Sequence, residues 1–135
     1  MNMSNTIAVQ VANLLNTQNQ LTIPYSEEMV LENQENYILR LGENETVIGV
    51  VEVKKVQWYQ CEISHLSVHP DARRQQIGTS LLQEAESRVK ELGGRIAQCT
   101  IRVGNEASEA LFKKHGFIAT VTFLNIQNGN KVTVF

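Results

Sequence analysis

The sequence predicts an α+β fold: a mixed, mostly antiparallel sheet with one central parallel strand pair and helices flanking it. Three observations carry that prediction. A β-rich stretch at residues 61–68, an apolar-periodic stretch at 78–92 and a second β-rich stretch at 96–103 follow one another with the spacing of a β–α–β crossover, which makes the two strands parallel. Residues 37–56 and 118–135 each hold two strand-like runs around a turn, as antiparallel hairpins do. Residues 4–34 carry helix caps and an apolar helical stripe ahead of the first strand.

Along the chain, Ser4 or Asn5 caps a first helix running to about Asn16, with Ile7, Val11, Leu14 and Leu15 on one face. Ile23-Pro24 interrupts the chain, and Ser26 followed by Glu27 and Glu28 predicts a short second helix. Tyr37, Leu39 and Leu41 alternate with Ile38 and Arg40 in a strand. Gly42 to Glu45 is a turn, and the β-branched run at 47–56 is the partner strand. Residues 57–60 are either a second connection or an irregular strand end, and 61–68 form the next strand. The helix at 78–92 buries Leu81, Leu82, Ala85, Val89 and Leu92, and sets Glu84–Arg88 and Glu86–Lys90 four apart on its exposed side. Gly93-Gly94 stops it, and 96–103 reads as one strand. Asn105 caps a short helix that ends on Lys113, Lys114 and His115; Gly116 terminates it and Phe117 packs back. Asn128-Gly129 turns the closing hairpin between strands at 118–124 and 131–135.

A chain of 135 residues has the length of one domain, residues 1–135, with a single core. Hydrophobic residues make up 42% and charged residues 19%, an ordinary globular composition. No apolar run approaches the roughly 18 residues that span a bilayer, and no basic region precedes an apolar block near the N-terminus, so neither membrane span nor signal peptide is expected. Cys61 and Cys99 are too few for a disulfide scaffold, and reduced thiols point to the cytoplasm. No histidine or cysteine spacing suggests a metal site. The net charge of −2 lacks the footprint of a nucleic-acid binder. That charge is uneven. Up to Glu62, three basic residues face eight glutamates, a net of −5; from Ile63 onward nine basic residues face six acidic ones, a net of +3. The basic half suits a polyphosphate and the acidic half a cationic partner, unless both are plain solvated surface.

The chain is organised around residues 62–82. A strand ends in Val68, His69-Pro70-Asp71 punctuates it, and Arg73-Arg74-Gln75-Gln76-Ile77-Gly78-Thr79 leads into the long helix. A strand, a polar turn and a helix start make an anion cradle, because free backbone N–H groups and the positive end of the helix dipole converge there. At these residues the chain resembles the GNAT superfamily of N-acetyltransferases. Its pyrophosphate signature, Arg/Gln-x-x-Gly-x-Gly/Ala after a Val-His-Pro-like strand end, is matched by Arg73-Arg74-Gln75-Gln76-Ile77-Gly78 except that Gln76 replaces the first Gly. A second segment, Asn105-x-x-Ser108-x-x-Leu111-Phe112-x-Lys114-x-Gly116-Phe117, resembles the family's Asn-x-x-Ala-x-x-Leu-Tyr-x-Lys-x-Gly-Phe helix. Together the two motifs cover about residues 60 to 120.

The resemblance implies a GNAT-type acyl-CoA N-acyltransferase fold in which the parallel strands start together and then splay, with acetyl-CoA in the cleft between them. Main-chain groups of Leu66, Ser67 and Val68 would pair with the pantetheine arm as an added strand. Amides from Arg74 through Gln75, Gln76, Ile77, Gly78 and Thr79 would hold the pyrophosphate, with Arg73 and Arg74 as charged partners. Asn105 would contact pantetheine near the cleft, unless it serves only as a helix cap. Glu62, at the position of the family's acidic strand residue, is the candidate general base; a carboxylate whose pKa is raised by a partly dry cleft can take the acceptor ammonium's proton directly or through water. The alternative for Glu62 is an exposed or ion-paired strand residue. The family's usual general acid is a Tyr at the position of Phe112, which has no proton to give. Tyr59, Ser108 or water is left to serve, or an unassisted thiolate departs, and Phe112 packs beside the pantetheine. His65, Cys61 and Cys99 read as packing residues rather than catalysts. Trp58 and Tyr59 either line the acceptor mouth or pack in the core.

The resemblance thus implies acetyl transfer to a primary amine, a cationic one if the acidic half steers it. No nucleic acid or membrane is expected as a partner, and a homodimer is left open. Gln76 and Phe112 support the second reading, a CoA-binding regulatory or interaction module with little or no transferase activity.

Overall fold

The computed structural model describes residues 3–19, 23–124 and 131–135. The leading helices form where their caps stand: Ser4 Oγ accepts from the Ile7 N–H at 3.2 Å and starts α1 (Asn5–Gln18), and Ser26 Oγ accepts from the Met29 N–H at 3.2 Å and starts α2 (Glu27–Glu32). Then follow β1 (Tyr37–Leu41), β2 (Val47–Gln57), β3 (Gln60–Val68), α3 (Ile77–Glu91), β4 (Ile96–Gln98), β5 (Thr100–Arg102), α4 (Glu106–Lys114), β6 (Val121–Leu124) and β7 (Lys131–Val134). Strands β1 to β4 form one sheet in that order, antiparallel except for the parallel β3–β4 pair. Strands β5, β7 and β6 form a second, antiparallel sheet, with β7 in its middle. The turn predicted at Asn128-Gly129 lies outside the described residues.

Period-2 alternation sorts the first sheet's side chains between two apolar layers. Tyr37 and Val50 pack under Val11 and Leu15 of α1 and Val30 of α2. Ile38, Val51, Val53 and Ile63 face the other way, against Leu81, Leu82, Ala85 and Val89 of α3. Helix α3 lies close because β2 offers Gly49 beneath it; a Cβ there would stand 2.8 Å from Ile77 Cγ2 and 2.9 Å from Leu81 Cδ1.

Three expectations change and one open alternative is decided. The stretch 96–103 is two strands, because Cys99 leaves β3 and exchanges hydrogen bonds with Phe135 instead, at 3.1 and 2.8 Å. Residues 57–60 resolve into a two-residue hairpin, Trp58-Tyr59, closed by the Gln57–Gln60 pair, with Trp58 73% exposed. Glu84 pairs with Arg40 of β1 at 2.7 Å rather than with Arg88, whose ion pair is to Glu91 at 3.8 Å. Leu92 lies past the end of α3 and is partly exposed, while Ile77 extends the buried stripe at the other end. Among the described residues no helix is long and apolar enough to cross a membrane.

Candidate active site

The opening in the structure follows from hydrogen-bond bookkeeping along β3. The parallel ladder has three rungs, Gln60–Ile96, Cys61–Ala97 and Glu62–Gln98, and then stops because β5 has turned to β7. Just past that point β3 bulges. Val50 pairs with Ser67 and Glu52 with Ser64, so His65 and Leu66 together oppose Val51, and His65 takes a left-handed φ of 52°. The bulge is pinned from both sides: Ser67 Oγ donates to the His65 carbonyl and accepts from Asn19 Nδ2, each at 2.9 Å.

Beyond the bulge lies a cleft of about 450 Å³. One wall is Leu66, Ser67 and Val68 of β3; the floor is Gln76, Gly78 and Thr79 at the start of α3. The other wall is Asn105, Ala107, Ser108 and Leu111 of α4, and Gln18 of α1 closes the rim. A short 3₁₀ helix, Pro70–Gln75, carries the chain from β3 into the cleft, and Gln76 then adopts φ 56°, ψ 29°. A right-handed residue followed by a left-handed one aligns successive amides into an anion-binding concavity. The Gln76 side chain makes no cap bond to α3, and among the described residues the first internal bond runs from the Ser80 N–H to the Gln76 carbonyl. Gly78 and Thr79, in the first turn of α3 where backbone amides lack intrahelical partners, line the cleft, with the positive end of the helix behind them.

The sequence model of the Acetyltransferase (GNAT) family matches residues 8–117, more than four-fifths of the chain. The chain belongs to that family. No curated protein sequence is significantly similar to it. Many solved structures share the fold. Ard1 from Thermoplasma volcanium superposes with a TM-score of 0.82 at 20% identity, covering 99% of this chain and 93% of that one. The ribosomal-protein-S18-alanine N-acetyltransferase from Escherichia coli gives 0.74 at 18% identity, covering 99% and 88%. The protein yncA from Salmonella typhimurium, solved with its cofactor acetyl-CoA, gives 0.80 at 17% identity, covering 99% and 89%.

Within this GNAT scaffold the sequence-predicted residues separate. Leu66, Ser67, Val68, Gln76, Gly78, Thr79 and Asn105 meet at the cleft. Asn105 also caps α4, its Oδ1 accepting from the Ser108 N–H at 3.4 Å. The backbone of Arg73, Arg74 and Gln75 forms the 3₁₀ turn, and their side chains lie outside the described part. Ile77 contributes main chain only, since its side chain is core. Phe112 does not line the cleft. It is 3% exposed and meets Phe117 edge-on at 5.0 Å, where the Phe117 N–H donates to the Phe112 carbonyl and the Gly116 N–H to the Lys113 carbonyl. That is a Schellman ending of α4, and the aromatic pair is its apolar clasp. Tyr59 sits in the β2–β3 hairpin, seven residues before Leu66 and so roughly 20 Å down the strand. It is not among the residues that line the cleft. Gln18 and Ala107 are cleft residues the sequence did not single out, and Leu111 entered only as a motif position; tertiary packing brings them there.

Glu62 stands at the last rung of the ladder, half-buried, on the face opposite the fully buried Ile63. Glu52, Ser64 and Tyr37 share that face by register, and His65 and Tyr25 meet edge-on at 5.6 Å beside them. Burial holds the His65 imidazole below its ordinary pKa, against the opposing pull of Glu52 and Glu62, so it is neutral at pH 7. Burial, with Glu52 and Glu62 adding to it, pushes the Tyr25 hydroxyl up to about 12.

Proposed function

We propose that this GNAT protein is an acetyl-CoA-dependent N-acetyltransferase acting on a primary amine by direct transfer in a ternary complex. The observation that carries the reading is the cleft itself: the parallel ladder stops at Glu62, and the space beyond it ends on the first turn of α3. The diphosphate of acetyl-CoA is held by the amides of Ile77, Gly78 and Thr79 and by Arg73 and Arg74. Pantetheine lies along Leu66 and Ser67, between Val68 and Asn105, with its thioester at the bulge. Main-chain N–H groups there polarise the carbonyl and stabilise the developing oxyanion. We place the protein in the cytoplasm, on the support of its two free, buried thiols.

The ammonium of the acceptor has no lone pair, so it first gives a proton to Glu62, directly or through water. The neutral nitrogen attacks the thioester carbon, a C–N bond forms and the C–S bond breaks. The nitrogen's second proton leaves to solvent. With Phe112 buried and Tyr59 distant, the thiolate departs unassisted or takes a proton from water or from the Ser108 hydroxyl at the cleft; a thiol pKa of about 8.5 makes unassisted departure feasible. Thiol release from acetyl-CoA across an amine panel tests the reading. Glu62→Gln is expected to lower kcat on the order of 10²-fold at pH 7, partly recovered at higher pH where free amine is abundant. Unchanged turnover of that variant across pH contradicts the role of Glu62. The buried Phe112 favours a second reading, a CoA-binding module; CoA binding with no amine-dependent thiol release by the wild type would establish it.

A further inference from the structure

The peptide between His65 and Leu66 stands at the bulge, and neither neighbouring strand pairs with it in register. The parallel pairing with β4 has ended at Glu62, and the antiparallel pairing with β2 skips this peptide, leaving Val51 opposite both residues. His65 is left-handed there, a conformation that strains an L-residue and persists only where its surroundings hold it.

What holds it is a chain of hydrogen bonds running in from the end of α1. Asn19, the residue that ends α1, donates from Nδ2 to the Leu15 carbonyl and to Ser67 Oγ, each at 2.9 Å; Ser67 Oγ in turn donates to the His65 carbonyl at 2.9 Å. The direction of this chain is fixed at both ends. A carbonyl only accepts, so Asn19 turns its amide nitrogen toward Leu15. Ser67, taking an N–H from Asn19, has one proton to give, and it goes to His65. Tyrosine and cysteine apart, Ser67 is the one polar residue buried among the described residues, at 3% exposed, yet it belongs to the wall of the cleft. A trans peptide carries its N–H opposite its C=O in one plane, so whatever fixes the His65 carbonyl also fixes the Leu66 N–H.

We propose that Ser67 and Asn19 are positioning residues for acyl transfer: through the His65 carbonyl they aim the Leu66 N–H at the thioester oxygen. The inference rests on the transferase reading above and adds to it the side chains that set the donor's angle. Neither side chain touches the reacting atoms. Gln18, next to Asn19, lines the same cleft, so the last turn of α1 both closes the rim and sets the donor.

Ser67→Ala cuts the chain in its middle. A misaimed donor weakens the transition state more than the bound cofactor, so kcat should fall about thirtyfold while the acetyl-CoA dissociation constant, read by calorimetry, stays within about twofold. Ser67→Thr keeps the hydroxyl and is expected to recover most of that loss. Asn19→Ala frees the hydroxyl to turn and should lower kcat less, and the double variant should be no slower than Ser67→Ala alone, because the two residues act as one unit. A second readout needs no acceptor: the infrared band of bound acetyl-CoA isotopically labelled at its acetyl carbonyl. A hydrogen bond weakens the C=O bond, so the band is expected to lie lower on the wild type and on Ser67→Thr than on Ser67→Ala. A serine that serves stability alone would change the melting temperature without moving the band. An unmoved band in folded Ser67→Ala, or an unchanged kcat in that variant, overturns the inference and leaves the transferase reading intact. If the wild type binds acetyl-CoA and acetylates no amine, the transferase reading fails, and a band that still differs between wild type and Ser67→Ala supports the aimed donor. No binding of acetyl-CoA by the wild type overturns both. Should Ser67→Ala not fold, Asn19→Ala decides by the same two readouts.

Discussion

Gln76 shows how much a single backbone angle decides. Its φ of 56° is left-handed, a conformation that costs an L-residue roughly 1–2 kcal/mol and glycine little. The side chain is exposed at the rim, so the amide stays available to a ligand. Gln76→Gly is therefore expected to leave thermal stability equal or slightly higher, since relief of strain exceeds the added entropy of glycine by at most about 1 kcal/mol. Acetyl-CoA affinity should be kept or improved in calorimetry, and a tenfold loss contradicts the cradle. The cysteines give a second check at this scale. Cys61 and Cys99 are 0% and 2% exposed; burial pushes both thiols up, Cys99 to about 12 with Glu62 adding to the effect. At pH 8 both stay protonated and shielded, so iodoacetamide should label neither until the protein unfolds, and prompt labelling of Cys99 would mean that the seam between the sheets opens. The importance of Gln76 was legible in the sequence, because a motif fixed its place. The left-handed His65 was not, since the register that produces its bulge is set by residues far away in the chain.

Helices start where the sequence places their caps, at Ser4, Ser26 and Asn105, because a cap is a contact across three residues and needs no tertiary knowledge. The ending of α4 at Gly116 and Phe117 is equally local. The break at Cys99 is the contrary case. Residues on both sides of it are equally strand-like, and only the arrival of β7 on the far side of β5 draws the chain from one sheet to the other. The same distant packing explains why Glu84 chose Arg40 over the helical neighbour four residues on. Helix α3 owes its seat to Gly49, whose absent side chain admits Ile77 and Leu81. Gly49→Ala is expected to destabilise by about 1–3 kcal/mol in denaturant titration through overpacking, and to weaken cofactor binding because the start of α3 moves with Ile77. A variant as stable as the wild type would show that α3 is free to slide.

Across the whole molecule, one strand leaving its neighbour makes the opening, and one helix terminus gives the opening its sign. The basic half of the chain holds that terminus, and the acidic half ends on Glu62, the proposed base. The fold class, the parallel pair and most residues lining the cleft were readable from two motifs and a crossover spacing. The face that Glu62 shares with Glu52, Ser64 and Tyr37 was not, because it is assembled from three strands that no local pattern ties together. A crystal structure of the complex with acetyl-CoA tests the central claim most directly: diphosphate oxygens should lie about 3 Å from the main-chain nitrogens of Gly78 and Thr79, with the thioester beside the bulge at His65. Cofactor bound elsewhere, or those amides turned inward and bonded to protein, would contradict it.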